Sequence, residues 1–317
     1  MAVSPARRLR EELARKPSPS ADKLLPAETA MRLVRDGDHV AVGGTLYSRT
    51  PMLLLFELLR QGRAGLTISR PLSCYEAELF LVGGLADGIV TSWVGIGLPW
   101  GISRVVRELV EGGRATYEEW SHLALGLRYK AGAMGVPFLP TFTMLGSDLV
   151  GLVDTHELTC PFTGETVLLV PALNPDVALV HVHRADRFGN AQIDGYTHMD
   201  ADMVAAARTV IVSTEEVVDA ERIMEGPDAT VIPHFQVDAV VEAPMGAFPH
   251  ECYGRYEADF THFDDYVAAV RRDGLAAVSA YLDRHVHRQP DFAAFLASFG
   301  RSRLEGQQAR AAELMAR

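Results

Sequence analysis

Asp36-Gly37-Asp38-His39-Val40-Ala41-Val42-Gly43-Gly44-Thr45-Leu46-Tyr47-Ser48-Arg49-Thr50-Pro51 is the stretch from which the architecture is legible. Residues 39–42 read as a buried strand. The glycine pair ends it, a short loop follows, and Pro51 opens a helix, where proline is accommodated because its missing N–H has no intrahelical partner to lose. Two glycines at the carboxyl end of a strand let a ligand approach the backbone with no Cβ in the way, and ligands in open α/β sheets sit at such ends. The amides at the following helix start are able to hold an anion or a developing oxyanion. An ordinary tight strand-to-helix turn fits the same spacing.

The same alternation continues outward. Helices are expected over 27–36, 51–60, 75–82 and 102–111, and strands over 66–69, 89–94 and 115–117. Strands alternating with helices of about ten residues point to a parallel sheet covered on both faces. The second half is first β-rich, with strands over 166–170, 177–183 and 191–193. A helix over 199–206, strands over 210–213 and 239–242, and a helical region after Asp259 follow. The expected fold is therefore α/β, an open, mainly parallel sheet with helices on both faces and a helical C-terminus. No internal repeat or Gly/Pro-rich linker divides it. Residues 1–21, polar and holding Pro5, Pro17 and Pro19, read as a flexible leader, 22–300 as a single domain, and 301–317 as a charged tail.

Composition narrows the class. The 317 residues are 48% hydrophobic and 22% charged, as in globular proteins, and carry a net charge of −11. That charge argues against nucleic acid or acidic lipid as the main partner. No apolar run approaches the roughly 20 residues that span a bilayer. Residues 1–21 lack the apolar centre of a secretory signal, and Cys74, Cys160 and Cys252 form no C-x-x-C pair. Reduced thiols and a cytoplasmic location are expected.

Three other segments invite a chemical reading. Gly95-Ile96-Gly97-Leu98-Pro99-Trp100-Gly101 follows a strand and precedes a helix, with Glu118 and Glu119 near where a ribose-binding acid would stand. Its third glycine falls one residue late, and Pro99-Trp100 fills the space of a pyrophosphate, which weakens a nicotinamide-dependent oxidoreductase. His181 and His183 share a strand face, with His198, Asp200 and Asp202 close in sequence. They lack a third metal ligand at fixed spacing, so structural histidines and no metal are expected. Neither a Gly-x-Ser-x-Gly elbow nor a P-loop occurs. The residues compose a glycine-lined ligand edge without a complete catalytic constellation.

At that edge the sequence resembles the A (α) subunit of family I CoA-transferases, the glutaconate CoA-transferase branch above all. Asp36, Gly37, the aliphatics at 40–42, Gly43, Gly44 and Pro51 match the family signature. Thr45 replaces the usual phenylalanine, and Arg49 stands where many members have glycine. Ser103-Arg104 with Arg107, Glu111 and Gly113, then Gly135-Val136-Pro137-Phe138-Leu139-Pro140, then residues 237–244, then Gly246-Ala247, Pro249 and Cys252-Tyr253-Gly254 extend the likeness over roughly 25–265.

The resemblance implies a CoA-transferase or sugar-isomerase-like fold and an enzyme that moves CoA between carboxylic acids through a glutamyl-CoA thioester. It places that glutamate on a B (β) subunit, which makes a partner in an αβ or α2β2 assembly obligatory. CoA enters as part of the thioester substrate, beside the carboxylate substrate, and no cofactor is implied. Gly43 and Gly44 would form a backbone wall, Arg49 would meet a substrate carboxylate, and Ser73 would add donors near the reacting carbonyl. A rival in the same superfamily is the steroid ring-opening hydrolase. Those enzymes place an acid on the α chain where this sequence has His122, and a histidine is able to act as a base near neutral pH. A ligand-sensing module on the same fold is a third reading, though the leader has no room for a DNA-binding helix-turn-helix.

Overall fold

The computed structural model describes Glu11 and residues 21–316. The expected leader lies, apart from those residues, outside what it describes. In chain order the strands are β1 (His39–Val42), β2 (Leu66–Arg70), β3 (Ala86–Thr91), β4 (Gly95–Gly97), β5 (Gly101–Ile102), β6 (Thr116–Glu119), β7 (Phe138–Thr141), β8 (His156–Thr159), β9 (Thr166–Pro171), β10 (Val177–Asp186), β11 (Ala191–Gln192), β12 (Thr209–Val218), β13 (Thr230–Ile232) and β14 (Ala239–Glu242). The helices are α1 (Ala27–Met31), α2 (Met52–Gln61), α3 (Glu76–Val82), α4 (Arg104–Glu111), α5 (His122–Met134), α6 (Asp200–Ala206), α7 (Ala220–Met224), α8 (Phe260–Asp273), α9 (Leu275–Leu282), α10 (Phe292–Ala297) and α11 (Arg301–Met315).

The parallel strands run β6-β3-β2-β1-β10-β12-β14 across the sheet, and short antiparallel β11 and β13 extend it beside the far half of β10. Successive side chains on a strand point to opposite faces, so each central strand feeds two cores. Val40, Val42, Val177 and Leu179 join the layer built by α1, α2, α3 and the C-terminal helices. Ala41, Ala178, Val180 and Val182 join the layer under α5 and α6. Covering on both faces explains the nearly unbroken apolar strands.

Several expectations need correction; the helix expected over 27–36, for one, ends at Met31. The strand expected over 89–94 is Ala86–Thr91. Its weakly β-forming start is fixed by the neighbouring strand, since a Cβ on Gly88 would lie 2.4 Å from Thr116 Oγ1. Gly95–Gly101 does not lead from strand to helix but forms the antiparallel hairpin β4–β5. A separate three-stranded antiparallel sheet, β7-β9-β8, stands on α5, where the expected elements held β9 alone. The segment from Arg301, expected as a charged tail, is helix α11. It is held by Arg303, which donates to both oxygens of Asp259 at 2.6 and 2.9 Å, and by the burial of Gln307 and Ala311.

Candidate functional site

All the parallel strands point their carboxyl ends one way, so the loops after β1, β2, β3 and β6 meet at one edge. The first brings Gly43 and Gly44. Gly43 is required by packing, because a Cβ there would lie 2.4 Å from Val180 Cγ1. Gly44 has φ +66°, and its Cβ would lie 2.0 Å from Ser48 O. Protein rather than ligand therefore fills the space of both missing side chains.

The amides that the sequence offered to an anion are also engaged. Gly43 N–H donates to Leu179 O (2.8 Å), Gly44 N–H to Asp200 Oδ1 (2.8 Å), Arg49 N–H to Glu251 O (2.9 Å) and Leu53 N–H to Gly246 O (2.9 Å). The loop between β1 and α2 is thus a pinned scaffold. An oxyanion at its amides would have to break bonds already made.

Arg49 departs from expectation in the same way. It is wholly buried and donates to Asp200 Oδ2 (2.6 Å), His181 O (2.9 Å) and Tyr196 O (2.8 Å). A substrate carboxylate would have to displace Asp200 from a site closed to water. Arg49 has φ +49°, in the left-handed region, which accounts for glycine at this position in many members of the family it resembles. Ser73 is equally inward: its N–H donates to Trp93 O (2.9 Å) and its hydroxyl to Thr91 Oγ1 (3.3 Å).

The groups that remain presented at this edge come from β3, β6 and the loop before α6. Ser92 Oγ donates to Pro71 O and lies 3.2 Å from His122 Nδ1. Ser121 caps α5 by accepting from Ala124 N–H (3.1 Å), which leaves His122 as the first helical residue, exposed. Partial burial lowers the His122 pKa below the usual histidine value. His198 (φ +50°), exposed on the loop before α6, lies within electrostatic reach of Arg49, Asp200 and His122. Crowding of its ring first, and the Arg49 cation second, lower its pKa to about 4. Both rings are therefore neutral near pH 7. A groove of about 300 Å³ starts at Ser92 and runs past Trp93, Ile102, Val106 and Tyr117.

The acids at the edge are mostly committed. Glu76 pairs with Arg70 (2.6 Å), Glu118 with Arg128 (2.5 Å), and Asp200 with Arg49. Glu119 is exposed beside the groove, on the face of β6 opposite Glu118. The nicotinamide candidate and the histidine pair are both engaged by protein groups. Tyr47 OH fills the place beside Gly97 where a Cβ would stand, and Trp100 stacks on Phe260. His181 is bonded to Ser213 Oγ (2.9 Å) and Glu215 Oε1 (2.7 Å), while His183 contacts Tyr253 O (2.9 Å) and accepts from Asp194 N–H (3.1 Å).

Two groups among the described residues hold metal-type ligand atoms within 4.8 Å of one another, Cys74-Glu76-His250 and His181-Glu215-Cys252. In the first the Arg70 guanidinium already supplies the positive charge. In the second His181 and Glu215 bond each other.

The Coenzyme A transferase family profile matches residues 24–243. The chain belongs to that family. It is 32% identical to the A (α) subunit of glutaconate CoA-transferase from Acidaminococcus fermentans, over 86% of this chain and 90% of that one. The solved structure of that enzyme superposes with a TM-score of 0.85 at 30% identity, covering 90% of this chain and 95% of its own. A cholesterol ring-cleaving hydrolase IpdA subunit of Rhodococcus jostii is 30% identical over 79% of this chain and 96% of its own. An uncharacterised protein of Archaeoglobus fulgidus is 38% identical over 89% of this chain, which spans 63% of that protein's length. Within the family the chain is of the glutaconate CoA-transferase α type, with that fold. No helix among the described residues is long and apolar enough to cross a membrane.

The glycine pair and its edge are legible in the sequence, but there Asp200 stands only as a neighbour of His198 and not as the partner of Arg49. The contact between Arg49 and Asp200 spans 151 positions, and no local pattern signals it. Ser92 and His198 gain their place through the sheet order alone.

Proposed function

We propose that this chain is the α subunit of a two-chain CoA-transferase that moves CoA between an acyl-CoA and a carboxylic acid, with the attacking glutamate on a companion β subunit. The observation that carries the reading is the state of the acids at the sheet edge: Glu76, Glu118 and Asp200 are each held by an arginine 2.5–2.6 Å away. An ion-paired, buried carboxylate such as Glu76 or Asp200 is a poor nucleophile, because leaving its partner strands a buried charge; Glu118 is half-exposed but ion-paired, and exposed Glu119 is the edge acid outside these pairs. Family membership and the likeness to the α chain of a glutaconate CoA-transferase support the same reading.

The chemistry splits one hard exchange into easier steps. A carboxylate oxygen of the companion glutamate attacks the thioester carbonyl and expels CoA thiolate, leaving a mixed anhydride. The thiolate attacks the glutamyl carbonyl and releases the first acid as its carboxylate, leaving the glutamyl thioester. An acceptor carboxylate repeats the sequence in reverse, which regenerates the glutamate. Every nucleophile and leaving group is an anion, so no net proton moves.

In this scheme Gly43, Gly44, Arg49 and Ser73 build and brace the wall. Ser92, His122 and His198 face the reacting groups, and the groove beside Ser92 takes the acyl portion. The assembly is an αβ or α2β2 heteromer, CoA enters as substrate, and the location is cytoplasmic.

The test is co-expression with the neighbouring reading frame as candidate β chain, addition of acyl-CoA, and borohydride or hydroxylamine trapping. Label on a glutamate of the companion chain supports the reading. Full-rate CoA transfer by this chain alone overturns it.

A further inference from the structure

The three-stranded sheet β7-β9-β8 is finished on one face only. Its inner side is fixed: Leu168 and Val170 are buried against Ala124, Leu125 and Tyr129 of α5. Phe138 and Leu158 on the strands, Phe142 and Leu152 in the segment joining β7 to β8, and Phe162 in the turn between β8 and β9 are exposed, Leu152 to 77% and Phe162 to 93%. Single exposed apolar side chains are ordinary, but several large ones gathered on one small sheet mark a contact surface.

Three observations name what covers it. The first is position. Thr143, just after β7, lies 3.0 Å from Ser121 through their hydroxyls, and Leu123 next to His122 is itself exposed. The apolar face is therefore continuous with the opening of the candidate site, where the reacting glutamate has to arrive from outside this chain. The second is charge. Residues 138–171 contain Asp148, Asp154, Glu157 and Glu165 and no lysine or arginine. A second copy of the same face would meet it with like charge, whereas a surface rimmed by Lys and Arg would be drawn to it. The third is scale. A standard interface uses roughly 20–30 residues a side, and this segment of about 34 residues supplies that many.

We infer that the outer face of β7-β9-β8, together with Leu123, is the docking surface for the companion β chain, and that the surface of that chain seated there is apolar with a basic rim. The inference rests on the two-chain reading given above. Phe142 and Phe162 are the anchors, since exposed aromatics carry a large share of interface energy when desolvated.

The experiment uses the full chain co-expressed with the candidate β chain, as wild type and as the Phe142→Asp/Phe162→Asp variant. Both positions face solvent, so the variant chain alone should match wild type in circular dichroism and thermal midpoint. Expected is co-elution of the wild-type pair and an affinity at least 100-fold weaker for the variant. Its CoA transfer should fall in parallel and recover as β chain is added in excess. Wild-type association should weaken as salt rises from 50 to 500 mM. Undiminished pairing by the variant overturns the docking surface while leaving the two-chain reading intact. Failure of the wild-type chain to pair with the β chain, or full-rate transfer by it alone, overturns that reading as well. A wild-type homodimer that the variant loses assigns the face to a second copy and overturns the inference.

Discussion

Arg49 Nη1 lies 2.6 Å from Asp200 Oδ2, and neither side chain is exposed to solvent. The same aspartate accepts from Gly44 N–H through its other oxygen, so one carboxylate ties the glycine turn to the arginine six residues after the first glycine. This makes the pair a structural brace for the candidate site. Removing one partner of a buried ion pair typically costs about 3–5 kcal/mol, because the other charge is left without compensation. Arg49→Ala and Asp200→Ala should each lower the urea midpoint accordingly. An Arg49→Met/Asp200→Leu double variant should lose less than the sum of the singles. Wild-type stability in Arg49→Ala, with a raised KM for the acid substrate as its sole effect, would return Arg49 to the role of a substrate contact.

The two glycines make a paired prediction with different outcomes. Alanine at 43 meets a side chain, Val180 Cγ1, while alanine at 44 meets the backbone oxygen of Ser48 and must adopt φ +66°. Gly43→Ala should cost about 1–3 kcal/mol, as overpacking does, and Val180→Ala in the same chain should restore part of it. Gly44→Ala should cost upward of about 3 kcal/mol, since strain and overpacking add, and no single side-chain truncation should rescue it. Denaturation of the three variants, with side-chain truncations around Gly44 added to the last, checks the pattern. Equal rescue at both positions would mean that the backbone relaxes more than this geometry allows.

How much was legible beforehand follows from the range of each interaction. The strands at 39–42 and 239–242 and the helix after Pro51 are set by local apolar pattern, and they appear where the sequence places them. Gly95–Gly101 misled because a glycine-rich turn between two strands looks locally like one between strand and helix. What settles it is the pairing of Gly95 with Ile102. The small sheet was missed because exposed β8 lacks the inward apolar residues that mark a strand; it is held by its pairing with β9. The sequence offers Gly43 as a place where a ligand nears the backbone; in the structure Val180 Cγ1 takes the space of the absent Cβ. That neighbour depends on β10 lying next to β1, which no short window contains.

Buried neutral histidines set the acid limit of stability. Burial is the larger cause that lowers His183 to about 4 and His262 to about 3, against about 6.5 when unfolded. In the unfolded chain each takes up a proton as pH falls through 6.5, while in the folded chain each stays neutral until pH nears its lowered value. Their contribution is therefore whole above about pH 6.5 and is lost between there and about pH 4, of the order of 2 kcal/mol per group at pH 5. The thermal midpoint should drop between pH 7 and 5, and His262→Phe should flatten that drop. A midpoint independent of pH over this span would show that these rings are already protonated in the fold.

The last prediction concerns His122, whose Nδ1 lies 3.2 Å from Ser92 Oγ and whose pKa is lowered by partial burial. At pH 7 the ring is neutral and placed at the mouth of the site, so it is competent to accept a proton. Whether the reaction uses that capacity depends on the reaction. Transfer of CoA between acids employs carboxylate and thiolate nucleophiles, which need no deprotonation at pH 7. Hydrolysis requires a base to activate water, a contribution of typically 10²–10⁴-fold. For a transferase, His122→Ala assembled with its β chain should keep CoA transfer within about tenfold of wild type. Its pH profile should also parallel that of wild type between pH 6 and 8. The exposed position further predicts an unchanged thermal midpoint, so any loss of rate would be chemical and not a failure to fold. A fall of 10²-fold or more, accompanied in the wild type by an acid limb below pH 6.5, would instead make His122 a general base and favour water over a carboxylate as the acceptor.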